Sequence, residues 1–133
     1  MPYSLYTDGG ARGNPGPAGA GAVLLSGDGT EVSTVSEYLG EMTNNQAEYR
    51  ALILGLQAAL DADVQELTVY MDSELIVKQM TGEYKVKHPD MKPLNAQVQK
   101  LVAQFKTVEF EHVRRERNST ADALVNQAID AHE

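Results

Sequence analysis

Apolar residues return at three- and four-residue steps after Thr43, and this is the clearest periodicity in the chain. Ala47, Ala51, Leu54 and Ala58 form the stripe, with Leu52, Ile53, Leu56 and Leu60 beside it. A face this wide predicts a core helix over residues 44–60. Thr43 and Gln46 stand at capping-box spacing, which makes Thr43 the expected N-cap. Ahead of this helix the pattern is that of strands. Residues 3–8, 18–26 and 31–39 are β-prone segments separated by turn formers, with Gly27-Asp28-Gly29 as a hairpin turn between the second and third. The second begins Ala-Gly-Ala-Gly-Ala, small residues that suit a close approach by another element.

After the helix the two periods alternate. Leu67, Val69 and Met71 alternate with Thr68 and Tyr70, predicting a strand over 64–71. Residues 74–80 read as a short helix with Gly82 as its stop, and 82–93 as a link rich in Lys and Pro. Leu94, Val98, Leu101, Val102 and Phe105 predict a helix over 94–105. A strand over 107–113, a charged loop over 114–118 and a helix over 119–131 complete the order β-β-β-α-β-α-α-β-α. A hairpin meander followed by strand–helix alternation implies an α/β fold, a five-stranded mixed sheet with helices on both faces. Helical crossovers join parallel neighbours, so the later strands should run parallel to the first.

Composition narrows the class. A chain of 133 residues suits one domain, 1–133. It has no cysteine, which excludes disulfides, thiolate metal sites and a cysteine nucleophile. No apolar run approaches the roughly 20 residues of a membrane span, so a cytoplasmic protein without membrane contact is expected. The net charge of −8 argues at first against a nucleic-acid partner. Yet nine of the eleven Lys and Arg lie within residues 78–117, where the local balance is +4. That segment is either a basic surface on an acidic protein or a set of solvated helix faces.

The acids carry the chemistry. Asp8 closes the first predicted strand, Asp72 closes the fourth, and Asp122 opens the last helix soon after the fifth. Ligands of open α/β sheets bind at the carboxyl ends of parallel strands. If strands one and four are neighbours, Asp8 and Asp72 lie side by side there, with Glu48 and Asp122 in reach. Each acid also has a purely structural reading: a turn at Asp8-Gly9, an N-cap at Asp72, a capping box at Ser119-x-x-Asp122, a helix-start acid at Glu48. Four carboxylates together repel and persist most readily around cations. All-oxygen ligands suit Mg²⁺ or Mn²⁺. Two such ions are a recurring device in phosphodiester chemistry, one activating a water and the other stabilising the leaving oxygen. Other schemes fare worse. The three histidines come without a Gly-x-Ser-x-Gly elbow, the Walker spacing is absent from the loop after Gly9, and no tryptophan is present to stack a sugar.

Four segments then match a known family. Tyr6-Thr-Asp-Gly-Gly-Ala-Arg-Gly-Asn-Pro-Gly-Pro17, Thr43-Asn-Asn-Gln-Ala-Glu-Tyr-Arg-Ala51, Tyr70-Met-Asp-Ser73 and Asn118-Ser-Thr-Ala-Asp-Ala-Leu124 stand in order across nearly the whole chain. In these it resembles type 1 ribonuclease H. The resemblance implies a sheet whose first three strands are antiparallel and whose strands one, four and five are parallel. It implies an endonuclease that hydrolyses the RNA strand of RNA–DNA hybrids, leaving 5′-phosphate and 3′-hydroxyl ends, with two Mg²⁺ or Mn²⁺ ions per site. Asp8, Glu48, Asp72 and Asp122 would be the catalytic, metal-binding acids, with Glu48 also near a ribose 2′-hydroxyl. Gly9, Arg12, Asn14, Thr43, Asn44, Asn45 and Arg115 would contact substrate. Double-stranded RNA is a second candidate substrate, and a monomer is expected.

Three positions depart from better-known members. The loop that often carries a histidine is short here, Arg114–Asn118, and Arg115 would take part of its role without shuttling protons. Glu41 stands where some members place a phosphate-gripping arginine. Residues 82–93 replace a basic protrusion, so the chain resembles the minimal branch. A non-cleaving hybrid binder and another nuclease of the same fold are the alternatives; the first would need one acid lost, and all four are present.

Overall fold

The computed structural model describes residues 2–133. Its elements follow the predicted order: β1 (Tyr3–Ala11), β2 (Gly16–Leu25), β3 (Glu31–Met42), α1 (Asn44–Asp61), β4 (Glu66–Met71), α2 (Glu74–Thr81), α3 (Lys92–Val102), β5 (Thr107–His112) and α4 (Ser119–His132). A single 3-10 turn, Arg115–Asn118, replaces the charged loop before α4. The strands form one mixed sheet in the order β3-β2-β1-β4-β5. β1 to β3 pair antiparallel, while β4 pairs parallel with both β1 and β5. This is the topology that the pattern and the resemblance implied.

Alternation along β1 and β2 separates the two faces. Leu5, Ala22 and Leu24 join Tyr49, Leu52, Ile53 and Leu56 of α1 in the main core, together with Ile76 of α2 and Val98 of α3. The opposite face is covered by α4. The Ala-Gly repeat of β2 serves both faces at once: its alanines are buried toward α1, and its glycines lie under α4. A Cβ on Gly21 would stand 2.2 Å from the Ala121 carbonyl oxygen, so only glycine lets α4 come this near the sheet.

α1 begins as the capping box predicts. The Gln46 amide N–H donates to Thr43 Oγ1 at 3.2 Å, and the Thr43 N–H donates to Gln46 Oε1 at 2.9 Å. Replacing Thr43 by Ala should cost about 0.5–2 kcal/mol, read as a lowered denaturant midpoint at unchanged m-value. A loss of affinity for substrate with no change in midpoint would instead make Thr43 purely a ligand contact.

The differences from expectation are local. β1 continues through Asp8-Gly9-Gly10 to Ala11, because Ala11 still pairs with Ala18 across the antiparallel ladder. α3 starts at Lys92 and stops at Val102, with Pro93 in its first turn, where a missing N–H costs nothing. The capping reading of Ser119-x-x-Asp122 is not realised: Asn118 occupies the N-cap, and no side chain caps α4.

Candidate active site

β1 and β4 run parallel with Thr7 opposite Met71. The next residue on each strand is an aspartate, so Asp8 and Asp72 emerge side by side at the carboxyl edge of the sheet. Asp72 is free to act there because Ser73, not Asp72, caps α2 by accepting from the Ile76 N–H. α1 brings Glu48 in from the other side. Glu48 Oε1 accepts a 2.6 Å hydrogen bond from the Gly9 N–H, which ties the acid to the strand that carries Asp8. One carboxylate oxygen from each of Asp8, Glu48 and Asp72 lies within 4.8 Å of the others.

Asp122, in the first turn of α4, lies outside this three-acid group but lines the same cleft, near enough to Asp8 to raise its pKa. Its helix is registered on β1 by Asn118, a buried residue whose Nδ2 donates 2.9 Å to the Thr7 carbonyl. The anchor lies one residue from Asp8, so β1 and α4 present their acids from a common fixed point.

Burial and mutual repulsion make this cluster uncomfortable without cations. Asp8 is pushed up to about 8, first by burial, then by the charge of Asp72 and by Asp122. Glu48 is raised well above its ordinary value, first by burial and then by Asp8 and Asp72. The donor set is all oxygen and dianionic or more when ionised, which fits a hard dication such as Mg²⁺ or Mn²⁺. Protein zinc sites usually include a His or Cys donor, and among the described residues no histidine lines the cleft.

The cleft encloses about 460 Å³ and is open along one side. All four acids line it, with Gly9, Arg12, Asn44, Asn45 and Arg115. Asn14 and Thr43 line an adjoining groove of about 330 Å³ with Asn44, Asn45 and His88. The asparagines at the junction are oriented by the backbone. Asn44 Oδ1 accepts from the Ala11 N–H at 2.8 Å, and Asn14 Oδ1 accepts from the Asn44 N–H at 3.0 Å. An N–H donor demands oxygen, so both amide NH₂ groups are left as donors. Two of the expected substrate contacts have structural duties. The Gly9 N–H is bound to Glu48, and Arg12 turns back to pair with Asp130 and Glu133 of the α4 end. Asn118 and Asn126 were not anticipated. The only prior signal for Asn126 is its place one helical turn after Asp122.

A family described as reverse transcriptase-like matches residues 6–128. The chain superimposes on the crystal structure of an RNase H1 from Halobacterium salinarum with a TM-score of 0.96 at 42% identity, covering 98% of this chain and 99% of that one. The chain belongs to the ribonuclease H family. A second ribonuclease H neighbour, LC11-RNase H1 solved in complex with an RNA/DNA hybrid, aligns with a TM-score of 0.92 at 47% identity over 98% of both chains. In sequence, a bifunctional protein of Mycobacterium tuberculosis is 49% identical over 132 residues, 98% of this chain. The chain spans 36% of that relative's length. The region it matches is nearly the whole of the two solved chains and a part of the longer mycobacterial relative.

Proposed function

We propose that this protein is an endonuclease that hydrolyses the RNA strand of RNA–DNA hybrids. The observation that carries the reading is the convergence of Asp8, Glu48 and Asp72, with Asp122 lining the same open cleft. It is supported by a relative of the same fold solved with an RNA/DNA hybrid. Asp8, Glu48, Asp72 and Asp122 would hold two Mg²⁺ or Mn²⁺ ions when substrate is bound. Such ions supply charge neutralisation and Lewis-acid polarisation for phosphodiester hydrolysis, and the products would end in 5′-phosphate and 3′-hydroxyl.

The chain's own groups select and place the substrate. Asn44 and Asn45 lie at the junction of cleft and groove, and Asn14 lines the groove. The amide NH₂ donors of Asn14 and Asn44 suit the acceptors of a wide, shallow minor groove, where base edges and ribose hydroxyls are displayed. Glu48 would also approach a 2′-hydroxyl, the group that separates RNA from DNA. Thr43 lies on the rim of that groove, and its hydroxyl suits a phosphate oxygen. Arg115 also lines the cleft, and its guanidinium would suit a phosphate. These residues would form one ribonuclease H domain acting as a monomer in the cytoplasm; among the described residues no helix is long and apolar enough to cross a membrane.

The test is a labelled RNA offered paired with DNA, paired with RNA, and single-stranded, each with Mg²⁺, Mn²⁺ or chelator. Metal-dependent cutting of the hybrid alone is expected. Cutting of both duplexes would retain the mechanism and extend the substrate to double-stranded RNA. Binding of the hybrid without cutting under either metal would overturn the assignment in favour of a binding protein.

A further inference from the structure

Behind Asp122 a chain of polar groups runs along α4 to the rim of the cleft. Asn126 lies one turn after Asp122. Its Nδ2 stands 3.2 Å from the Asp122 carbonyl oxygen and 3.5 Å from Asp122 Oδ2. Its Oδ1 accepts from Arg12 Nη2 at 3.3 Å. Arg12 Nη1 in turn pairs with Asp130 at 2.7 Å and Glu133 at 3.1 Å. Arg12 comes from the segment between β1 and β2, so the network joins the strand that carries Asp8 to the helix that carries Asp122.

The chemistry gives this network a direction. A guanidinium has donors only, so it selects the Asn126 flip that turns the oxygen outward and the NH₂ inward. That leaves Asn126 as a donor facing the Asp122 carboxylate. Asn126 is the side chain that donates toward the Asp122 carboxylate from its own helix, and a contact of 3.5 Å can shorten as the site fills. We propose that Asn126 is a positioning residue for Asp122, held in its working orientation by Arg12, which Asp130 and Glu133 keep on α4. Arg12 then acts inside the protein, through Asn126, and not as a grip on the hybrid backbone. The kinetic part of this rests on the hybrid-cleaving function proposed above; the cation-binding part does not.

The experiment compares wild type with Asn126→Ala, Asn126→Asp, Arg12→Ala and the Arg12→Ala/Asn126→Ala double variant. Asn126 and Arg12 are both exposed, so folding should survive, and Asn126→Asp preserves size while removing the donor. The readouts are kcat and KM on the hybrid, the salt dependence of KM, and Mn²⁺ binding to the substrate-free protein by calorimetry. Asn126→Ala should lower kcat about tenfold and weaken Mn²⁺ binding by a similar factor, as removal of an outer hydrogen-bond partner does at metal sites. KM should stay within about twofold, because no substrate contact is lost. Asn126→Asp should lose at least as much. Arg12→Ala should show a smaller loss of kcat, about threefold, and the double variant should be no worse than Asn126→Ala alone, since both act on one group.

Unchanged kcat and Mn²⁺ affinity in both Asn126 variants would overturn the proposal. So would an Arg12→Ala variant that raises KM and flattens the salt slope by about one, the mark of a lost phosphate contact. If wild type cut no hybrid, the Mn²⁺ affinities would still decide whether Asn126 positions Asp122.

Discussion

Asp8→Asn should sharply lower the rate of hybrid cleavage and, in the same protein, raise the melting temperature of the metal-free form. Both effects come from one carboxylate. Asp8 is buried beside Glu48 and Asp72 and against Asp122, so removing its charge removes a cation ligand and a source of repulsion together. The loss of rate should be on the order of a thousandfold, the scale of several kcal/mol of transition-state stabilisation.

The gain in stability follows from linkage. In the folded, metal-free chain Asp8 is raised to about 8 from an ordinary value of 3.8. A group raised on folding contributes stability that is fully present below its unfolded pKa and is lost as pH rises through its folded pKa. Metal-free wild type should therefore lose stability between about pH 4 and pH 8. Glu48, raised by the same burial and by Asp8 and Asp72, acts in the same direction. Asn carries no charge to desolvate. The variant should melt higher than wild type by about 10 °C at pH 8 in chelator, and the gap should close toward pH 4. Mg²⁺ or Mn²⁺ should raise the melting temperature of wild type more than that of Asp8→Asn. Thermal scans at pH 4, 6 and 8 check all three statements. Equal melting temperatures across that range would mean that the acids are not strained as the geometry implies.

What could be read from the chain and what could not divide along the range of the interactions. The stripe after Thr43, the alternation of Leu67, Val69 and Met71, and the Thr43–Gln46 cap are local patterns, and each reappears as an element or a bond. Asp8 and Asp72 were legible because strand ends are legible: once β1 and β4 are parallel neighbours, the residue after each must stand beside the other. The misreadings lie where local signals are ambiguous. Gly9-Gly10 has the composition of a turn, but here it is strand, with each glycine facing a different helix: Gly9 meets Ala47 of α1, and Gly10 meets Val125 of α4. Ser119-x-x-Asp122 has the spacing of a capping box, but the Asn118 side chain is held by β1, more than a hundred residues earlier. Arg12 is expected from the sequence as a substrate contact, and its pairing with α4 is not legible there, because Asn126, Asp130 and Glu133 are likewise more than a hundred residues away. The nine basic residues of 78–117 are distributed over α2, the link, α3, the turn before β5, the segment after β5 and the 3-10 turn, and Lys78 is paired with Glu74 one turn before it.

Gly9→Ala should be the most damaging single methyl group that can be added near the site, and Gly10→Ala a nearly silent one. A Cβ on Gly9 would lie 2.2 Å from the Ala47 carbonyl oxygen, 2.3 Å from its carbon and 2.6 Å from the Glu48 nitrogen. All three are backbone atoms of α1, so no rotamer change relieves the overlap. Either β1 or the start of α1 must move, in an interior that is already close-packed. The cost should reach about 3 kcal/mol, the upper end for overpacking. That is roughly 10 °C in melting temperature. The displaced segment includes Glu48, whose bond to the Gly9 N–H is 2.6 Å, so residual folded protein should also lose most of its activity. A Cβ on Gly10 would find only Val125 Cγ1, at 3.9 Å, which is ordinary contact. Gly10→Ala should stay within about 1 kcal/mol of wild type. The pair separates two roles for Gly9. A Gly9→Ala protein with the melting temperature of wild type and a raised KM would make Gly9 a substrate contact. A large loss of stability confined to Gly9 would make it the point where β1 and α1 touch, which is what brings Glu48 to Asp8.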